Sequence, residues 1–167
     1  MNQIIKDSYY LVKLHQDNGE SVSLRRLTDL LFIYESAFMV GYDLTRIYDQ
    51  DFLIGTDGVY VKAVREEFKE FEEVESIMIN DKRLKAIAKS LPRKKKSDLG
   101  FIYRYFREIS DAKIHEFVSS EESPIEEMFA NPELLAFNIA HEVPIEKGRM
   151  KAWYHDYIMG YTEQEEE

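Results

Sequence analysis

The chain has no cysteine, so disulfide bridges, zinc–thiolate sites, iron–sulfur clusters and thiol nucleophiles are excluded. It also lacks any run near the roughly 20 apolar residues that a membrane-spanning helix needs. Its first residues, MNQIIKD, show no signal-peptide pattern. No internal repeat or low-complexity linker divides the sequence. We therefore expect a cytoplasmic protein without a membrane segment.

Positive charge is comparatively scarce. The chain has 22 Lys and Arg against 32 Asp and Glu, which gives a formal net charge of -10. A protein that binds duplex DNA usually presents a basic face, so this balance argues against nucleic acid as the partner. The charges are nevertheless segregated, since acids dominate residues 66–75 and the last five positions, whereas residues 82–96 contain eight basic residues and no acid.

Apolar and aromatic residues are plentiful. Hydrophobic residues make up 44% of the chain and include ten Phe and eleven Tyr, which is enough for one core in 167 residues. The clearest helical pattern follows Ser21 and Ser23, either of which can cap the helix, and it ends at Gly41. Its apolar stripe keeps i, i+3, i+4 spacing through Leu24, Leu27, Leu30, Leu31, Tyr34 and Phe38.

Similar spacing and capping signals predict further helices. They fall at residues 2–17, 60–73, 81–90, after the caps Ser97, Ser110 and Ser123, at 132–140 and at 145–161. Alternating β formers at Tyr48–Ile54, followed by glycine turn chemistry at Gly55–Gly58, predict a short strand and turn. Ser76–Ile79 is a second candidate strand.

These patterns together predict one mainly α domain. We expect a compact bundle of seven or eight short helices with a small β-hairpin or short β element near residues 48–62 and 76–79. The domain should span residues 1–161, and residues 162–167 should form an acidic, frayed C-terminal tail.

Motifs for catalysis are absent from the sequence. The four histidines show no i, i+4 zinc spacing, and each is interpreted as a surface or cap residue. No Asp or Glu is isolated inside an apolar run, and there is no P-loop or GxSxG elbow. We therefore predict no catalytic, cofactor-binding or metal-binding residues. An active site assembled from distant segments would escape this search.

Two charged segments have open interpretations. Arg93, Lys94, Lys95 and Lys96 follow Pro92 and are predicted to form a solvated basic loop, with contact to an acidic protein or to nucleic acid as the alternative. The acids of residues 66–75 are interpreted as the solvated face of a helix that buries Phe68 and Phe71.

Some aromatic residues exceed what any one helix face needs for the core. Exposed Tyr and Trp are typical anchors of protein interfaces, and both the β turn and the aromatic C-terminal helix are candidates for such an interface. The predicted partner-binding residues are Tyr48, Asp51, Phe52, Asp57, Gly58, Tyr60, Trp153 and Tyr157.

Several segments resemble one known family. Ser23–Tyr34, SLRRLTDLLFIY, resembles the early helix of the Panacea domain, a family that includes SocA-like antitoxins and phage-associated GepA-like proteins. Phe52–Ile54 and Thr56–Tyr60 take the places of that family's short strand and following turn. Ile109–Val118 resembles its later leucine–serine helix, and Ser123–Ile125 resembles the segment after it.

The resemblance covers roughly residues 8–158, and the last helix around 150–157 also fits. The turn lacks the family's proline, and Phe117-Val118 replaces its histidine–threonine pair. Membership would imply a non-enzymatic protein of a toxin–antitoxin system, which neutralises its partner by direct contact.

Three functions follow as hypotheses. The first is an antitoxin-like neutraliser or adaptor that binds a toxin-like or host protein, with self-association as a further expectation. The second is an acidic, phage-encoded inhibitor that mimics nucleic acid on a host defence protein, using the acids of residues 66–75. The third is a DNA-binding regulator that uses the basic segment 82–96.

Overall fold

A computed structural model describes the backbone of residues 1–166 and the side chains of residues 1–160. The described chain is mainly helical with one antiparallel hairpin, which confirms the predicted fold class. The helices within it are α1 (Gln3–Asp17), α2 (Leu24–Gly41), α3 (Lys62–Glu67), α4 (Asp81–Ser90), α5 (Arg93–Phe106), α6 (Asp111–Val118), α7 (Pro124–Met128), α8 (Pro132–Ala140) and α9 (Lys147–Glu166). The strands are β1 (Leu53–Gly55) and β2 (Gly58–Tyr60).

Helix α2 forms the centre of the core. The Ser23 side chain accepts a hydrogen bond from the Arg26 N–H and so caps the helix, as predicted. Leu27, Leu30, Leu31 and Tyr34 of the predicted stripe are buried, and its two ends, Leu24 and Phe38, are partly buried. Phe32 and Ile33 on the other faces are buried as well. Helices α1, α5, α6 and α9 pack around α2, which explains why apolar residues are buried on more than one of its faces.

The hairpin lies between α2 and the chain that leads into α9. Gly55 pairs with Gly58 across a two-residue turn. Gly58 has a φ of +128°, which an L side chain rarely adopts. On the other edge of β1, the Ile145 N–H donates to the Phe52 carbonyl at 2.8 Å, so the hairpin is joined directly to the segment before α9.

Three predicted boundaries are wrong. Ser76–Ile79 is not a strand, because the Val22 carbonyl and the Gln16 side chain satisfy its backbone groups. The helix predicted at residues 60–73 ends at Glu67 and is followed by a 3₁₀ turn, Lys69–Phe71. The basic loop is instead the first turn of α5, since the helix begins at Arg93, directly after Pro92, and not after Ser97.

The C-terminal prediction is only partly covered by the structure. The backbone of α9 stays helical to Glu166, whereas the side chains of the predicted acidic tail, 162–167, lie outside the described residues. Among the helices of the described chain, none is long and apolar enough to cross a membrane.

Candidate functional site

Aromatic rings from α5, α6 and α9 form a layer that is partly exposed and partly packed on the core, and we call it the aromatic surface. It consists of Phe101, Tyr105, Phe117, Tyr154 and Tyr157. Residues four apart lie on the same face of a helix, so Phe101 and Tyr105 stack with their ring centres 6.2 Å apart. Tyr157 contacts Phe117 at 4.9 Å and Tyr154 at 5.9 Å.

The rings of α5 are the most exposed part of this surface. The exposed fraction is 54% for Phe101 and 57% for Tyr105, while Phe106 behind them is buried. A cleft of about 160 Å³ separates Tyr105 from Phe117 and Tyr157. Burial raises the pKa of the Tyr154 hydroxyl to about 12, so this residue is a neutral hydrogen-bonding group at physiological pH.

Tyr157, a predicted contact residue, is exposed and belongs to this surface, whereas Phe101 and Tyr105 were not among the predicted contact residues. The core of α5 is in fact made by Leu99, Ile102, Tyr103 and Phe106. The i, i+4 pair of large rings beside a complete apolar stripe was the signal that could have revealed a second, outward-facing aromatic row.

A second concave region adjoins the aromatic surface, and we call it the α9 groove. It has a volume of about 390 Å³ and lies between the α6–α7 connection and one face of α9. Its lining consists of Ser120, Glu121, Glu122, Gly148, Arg149, Ala152, Trp153, Asp156 and Tyr157. Tyr157 is shared with the aromatic surface, so the two regions are continuous.

A groove of about 530 Å³ lies beside the hairpin turn, and we call it the hairpin groove. It contains three predicted contact residues, Asp57, Gly58 and Tyr60, and Asp57 is exposed. The chain fills part of it, because the Arg65 guanidinium lies 3.8 Å from the centre of the Tyr60 ring and 3.3 Å from the Glu72 carboxylate.

An Asp–His pair, which the sequence did not reveal, lies close to the hairpin. His115 Nδ1 lies 3.3 Å from the Asp29 carboxylate and 3.4 Å from Arg25 Nε. Burial raises the pKa of the Asp29 carboxyl, although His115 opposes that shift. The His115 ring also packs against the Gly58 backbone. The arrangement holds the imidazole in place. Within the described residues, no group of three or more His, Asp or Glu residues could hold a metal ion.

Four of the predicted contact residues are buried, Gly58 of β2 among them, so that part of the prediction is wrong. The exposed fraction is 1% for Tyr48, 0% for Phe52 and 7% for Trp153. Phe52 and Trp153 pack on Phe32 with ring centres 5.4 and 5.7 Å away. The Tyr48 hydroxyl donates to the buried Asp7 carboxylate at 2.6 Å. Asp51, in contrast, is exposed as predicted.

The four residues of the predicted basic patch differ in their exposure to solvent. Arg93 and Lys94 are exposed, and Lys94 lies 4.0 Å from the centre of the Tyr42 ring. Lys95 turns inward, where its ammonium group lies 2.8 Å from the Asp7 carboxylate and 2.8 Å from the Tyr34 hydroxyl. Lys96 is half-buried. A uniform basic surface at these four positions is therefore not present.

The structure contains buried carboxylates, although no Asp or Glu is isolated inside an apolar run of the sequence. Glu35 is fully buried and accepts hydrogen bonds from the Ile47 and Tyr48 N–H groups. The Lys147 ammonium group lies 2.6 Å from its carboxylate, and burial lowers the Lys147 pKa. This pair ties α9 and the loop after α2 to the central helix.

The surface interpretation of the histidines holds for His141, which is the exposed C-cap of α8, and for His155. It is wrong for His15, whose exposed fraction is 2%, and His115 is only half-exposed.

No family model, curated protein or solved structure matches this chain.

Proposed function

We propose that the chain is a non-enzymatic protein that acts by binding a partner protein through its aromatic surface. The observation that carries this proposal is the exposure of Phe101 and Tyr105, together with the cleft that Tyr105 shares with Phe117 and Tyr157. Isolated exposed apolar residues are ordinary, but contiguous apolar patches mark interaction sites. Aromatic residues are enriched in interface cores because they bury a large area with few rotatable bonds.

Direct neutralisation of a toxin-like or host protein is the specific activity that we propose. The resemblance of Ser23–Tyr34 and Ile109–Val118 to Panacea segments supports this assignment. The alternative is that a second copy of this chain binds the same surface.

The charged segments give less support to the two alternatives. In the acidic segment, Glu66 pairs with Lys69, Glu67 with Arg83, and Glu72 with Arg65, which lowers the charge that a nucleic-acid mimic would present. In the basic segment, Lys85 pairs with Asp81 and Lys95 with Asp7. Phosphate binding would have to compete with these ion pairs.

The test is co-purification with the product of the adjacent gene after co-expression. The double variant Phe101→Ala/Tyr105→Ala should lose the partner, with affinity reduced by at least about 30-fold, since truncating two central aromatic anchors typically costs 2 kcal/mol or more. The matched control is Phe137→Ala, because Phe137 on α8 has a similar exposed fraction of 55%.

If the double variant retains the partner, or if Phe137→Ala on α8 weakens partner binding equally, the aromatic surface is not the binding site. Circular dichroism and size-exclusion chromatography of both variants establish that each remains folded. A concentration-dependent dimer that the double variant abolishes would assign the surface to self-association.

A further inference from the structure

We infer that the hairpin groove binds an extended polypeptide segment, which adds a third strand beside β2. The groove shares no lining residue with the aromatic surface, so this site is separate from the one in the proposed function. Within the described chain the sheet has two strands. The outer edge of β1 is covered, because Leu53 forms a bridge with Pro144, whereas no described strand pairs with the outer edge of β2.

The strand register leaves both backbone hydrogen-bonding groups of Val59 without a protein partner. Gly55 and Gly58 pair across a two-residue turn, and such a turn is closed by a pair that exchanges both of its N–H···O=C bonds. Successive residues of an antiparallel strand direct these groups alternately toward and away from the partner strand. The Val59 N–H and carbonyl therefore point away from β1, and no described residue bonds to either group.

The hairpin groove follows this edge of β2. Its lining consists of the consecutive residues 57–61 with Leu24, Arg25, Thr28, Arg65, Glu72 and Glu73. The side chains of a strand alternate between two faces, so a cleft on one face of the hairpin would be lined by every second residue. Lining by consecutive residues indicates instead that the backbone edge of β2 forms one wall of the groove.

A peptide backbone has the groups that this edge lacks. One residue of an added antiparallel strand can accept a hydrogen bond from the Val59 N–H and donate one to the Val59 carbonyl. These bonds do not depend on side chains, so they define the ligand as extended polypeptide. The volume of the groove, about 530 Å³, lies within the range of roughly 300–1,000 Å³ found for ligand sites.

The charges of the groove favour a peptide over a polyanion. Arg65 and Glu72 form an ion pair with each other, so the remaining charged side chains are those of Arg25, Asp57 and Glu73, with a net charge of −1. A strand that carries one basic residue complements this charge, whereas a phosphate backbone would be repelled.

A second copy of the chain fits the site less well than a single extended segment does. The edge of β2 lies inside a groove whose lining includes α2 and residues 72–73. Because β2 of a second copy is enclosed in the same way, the two edges could not approach each other to strand-pairing distance, about 4.8 Å.

The probe is the peptide acetyl-Thr-Val-Lys-Val-Thr-amide, titrated into the whole protein with isotope-labelled valine. In NMR spectra the Val59 amide proton should shift downfield and exchange more slowly with water, because it gains a hydrogen-bond acceptor. Two matched probes carry N-methyl groups on alternate residues, one on both valines and the other on the lysine and both threonines. Only one of these sets of N–H groups faces β2. One methylated probe should therefore bind at least about tenfold more weakly, and the other within about threefold of the unmethylated peptide.

Val59→Pro removes the outward N–H without removing a hydrogen bond of the hairpin, and edge strands accept proline at such positions. With the Val61 amide as reporter, this variant should bind the unmethylated peptide about tenfold more weakly. The control is Phe101→Ala/Tyr105→Ala, which changes the aromatic surface and should leave the affinity within about twofold. Circular dichroism establishes that each variant is folded, and the methylated probes give the same test on the wild-type protein.

Equal affinity for the two methylated probes, or no shift of the Val59 amide at millimolar peptide, would overturn the inference. A dimer of the isolated protein that Val59→Pro dissociates would also overturn it, because a second copy would then occupy the edge. The NMR titration needs no captured partner, so the proposed function and this inference can fail separately. Loss of the co-purified partner by Phe101→Ala/Tyr105→Ala, with peptide binding retained, is the result expected if both are correct.

Discussion

Charged side chains inside this protein are held by specific partners. Glu35 is bound by Lys147 and by two backbone N–H groups, and Asp7 is bound by Lys95 and the Tyr48 hydroxyl. Breaking such a pair is costly because it leaves an uncompensated charge in a region of low dielectric constant. The Asp7–Lys95 pair therefore joins α1 to α5, and the Glu35–Lys147 pair joins α2 to α9.

The Glu35–Lys147 pair predicts a large stability effect. Lys147→Met should lower the free energy of unfolding by about 3 kcal/mol, because the buried Glu35 carboxylate loses its counterion. The double variant Glu35→Gln/Lys147→Met should recover most of that loss. Urea unfolding followed by circular dichroism measures both.

The control for this pair is Lys62→Met, which breaks an exposed ion pair with Glu142. Exposed pairs contribute little, so its unfolding midpoint should not change measurably. Equal midpoints for the Lys147 and Lys62 variants would show that the buried pair does not stabilise the fold.

His15 predicts a pH dependence of stability. Its Nδ1 donates to the Leu11 carbonyl at 2.7 Å, while Nε2 is buried and has no hydrogen-bond partner within the described residues. Burial lowers its pKa below the usual 6.5, and the Leu11 hydrogen bond opposes this only in part. The unfolded chain then binds the proton more readily. Stability from His15 is therefore present above pH 6.5 and is lost as the pH falls through the folded pKa.

An NMR titration of the His15 Cε1 proton should give a midpoint below 6.5. Between pH 7.5 and 5.5, the wild type should lose more unfolding free energy than His15→Leu does. Other titrating groups, including Asp29, are common to both proteins, so the difference isolates His15. A His15 midpoint at or above 6.5 would contradict this explanation.

Local signals predicted most elements because capping acts within a few residues. Ser23, Ser110, Ser123 and Asn131 each accept a backbone hydrogen bond at the helix start that their type and position predict. The errors occurred where distant contacts decide the structure. Arg93–Lys96 was predicted to be a loop because four adjacent charges suggest solvation, but the buried Asp7 of α1 holds Lys95 in a helical turn.

The hairpin depends on the absence of a side chain at Gly58. Gly58→Ala should lower the unfolding free energy by about 2 kcal/mol, because a φ of +128° is strained for alanine and its Cβ would lie 2.9 Å from His115 Cε1. Adding His115→Ala should recover only the steric part of the loss. Thermal unfolding of the single and double variants measures this coupling.

Gly41→Ala serves as the control, since a Cβ at that position meets nothing within 4 Å and φ is not positive. It should leave stability unchanged or slightly raised. Equal stability of the Gly58 and Gly41 variants would show that the hairpin tolerates a side chain facing His115.

At the scale of the whole molecule, the described surface separates into charged segments and one aromatic face. The sequence predicted that charged segments and surplus aromatic residues would be present, but it did not predict where on the surface each would lie. Of the predicted contact residues, Tyr157 is exposed, whereas Tyr48, Phe52 and Trp153 are core residues. Sequence patterns show which residues share a helix face, but whether a face is covered depends on packing between helices. That packing exposes Phe101 and Tyr105 and buries the rings beneath them.

Hydroxyl-radical footprinting of the chain bound to its partner is the most direct test of whether the aromatic surface binds that partner. The method reports the exposure of individual aromatic and methionine side chains. We expect complex formation to protect Phe101, Tyr105 and Tyr157 from oxidation. Tyr42 and Met78, exposed by 40% and 65% on other elements, should react as they do in the isolated protein. Unchanged reactivity of Phe101 and Tyr105, with protection at Tyr42 or Met78, would contradict the account.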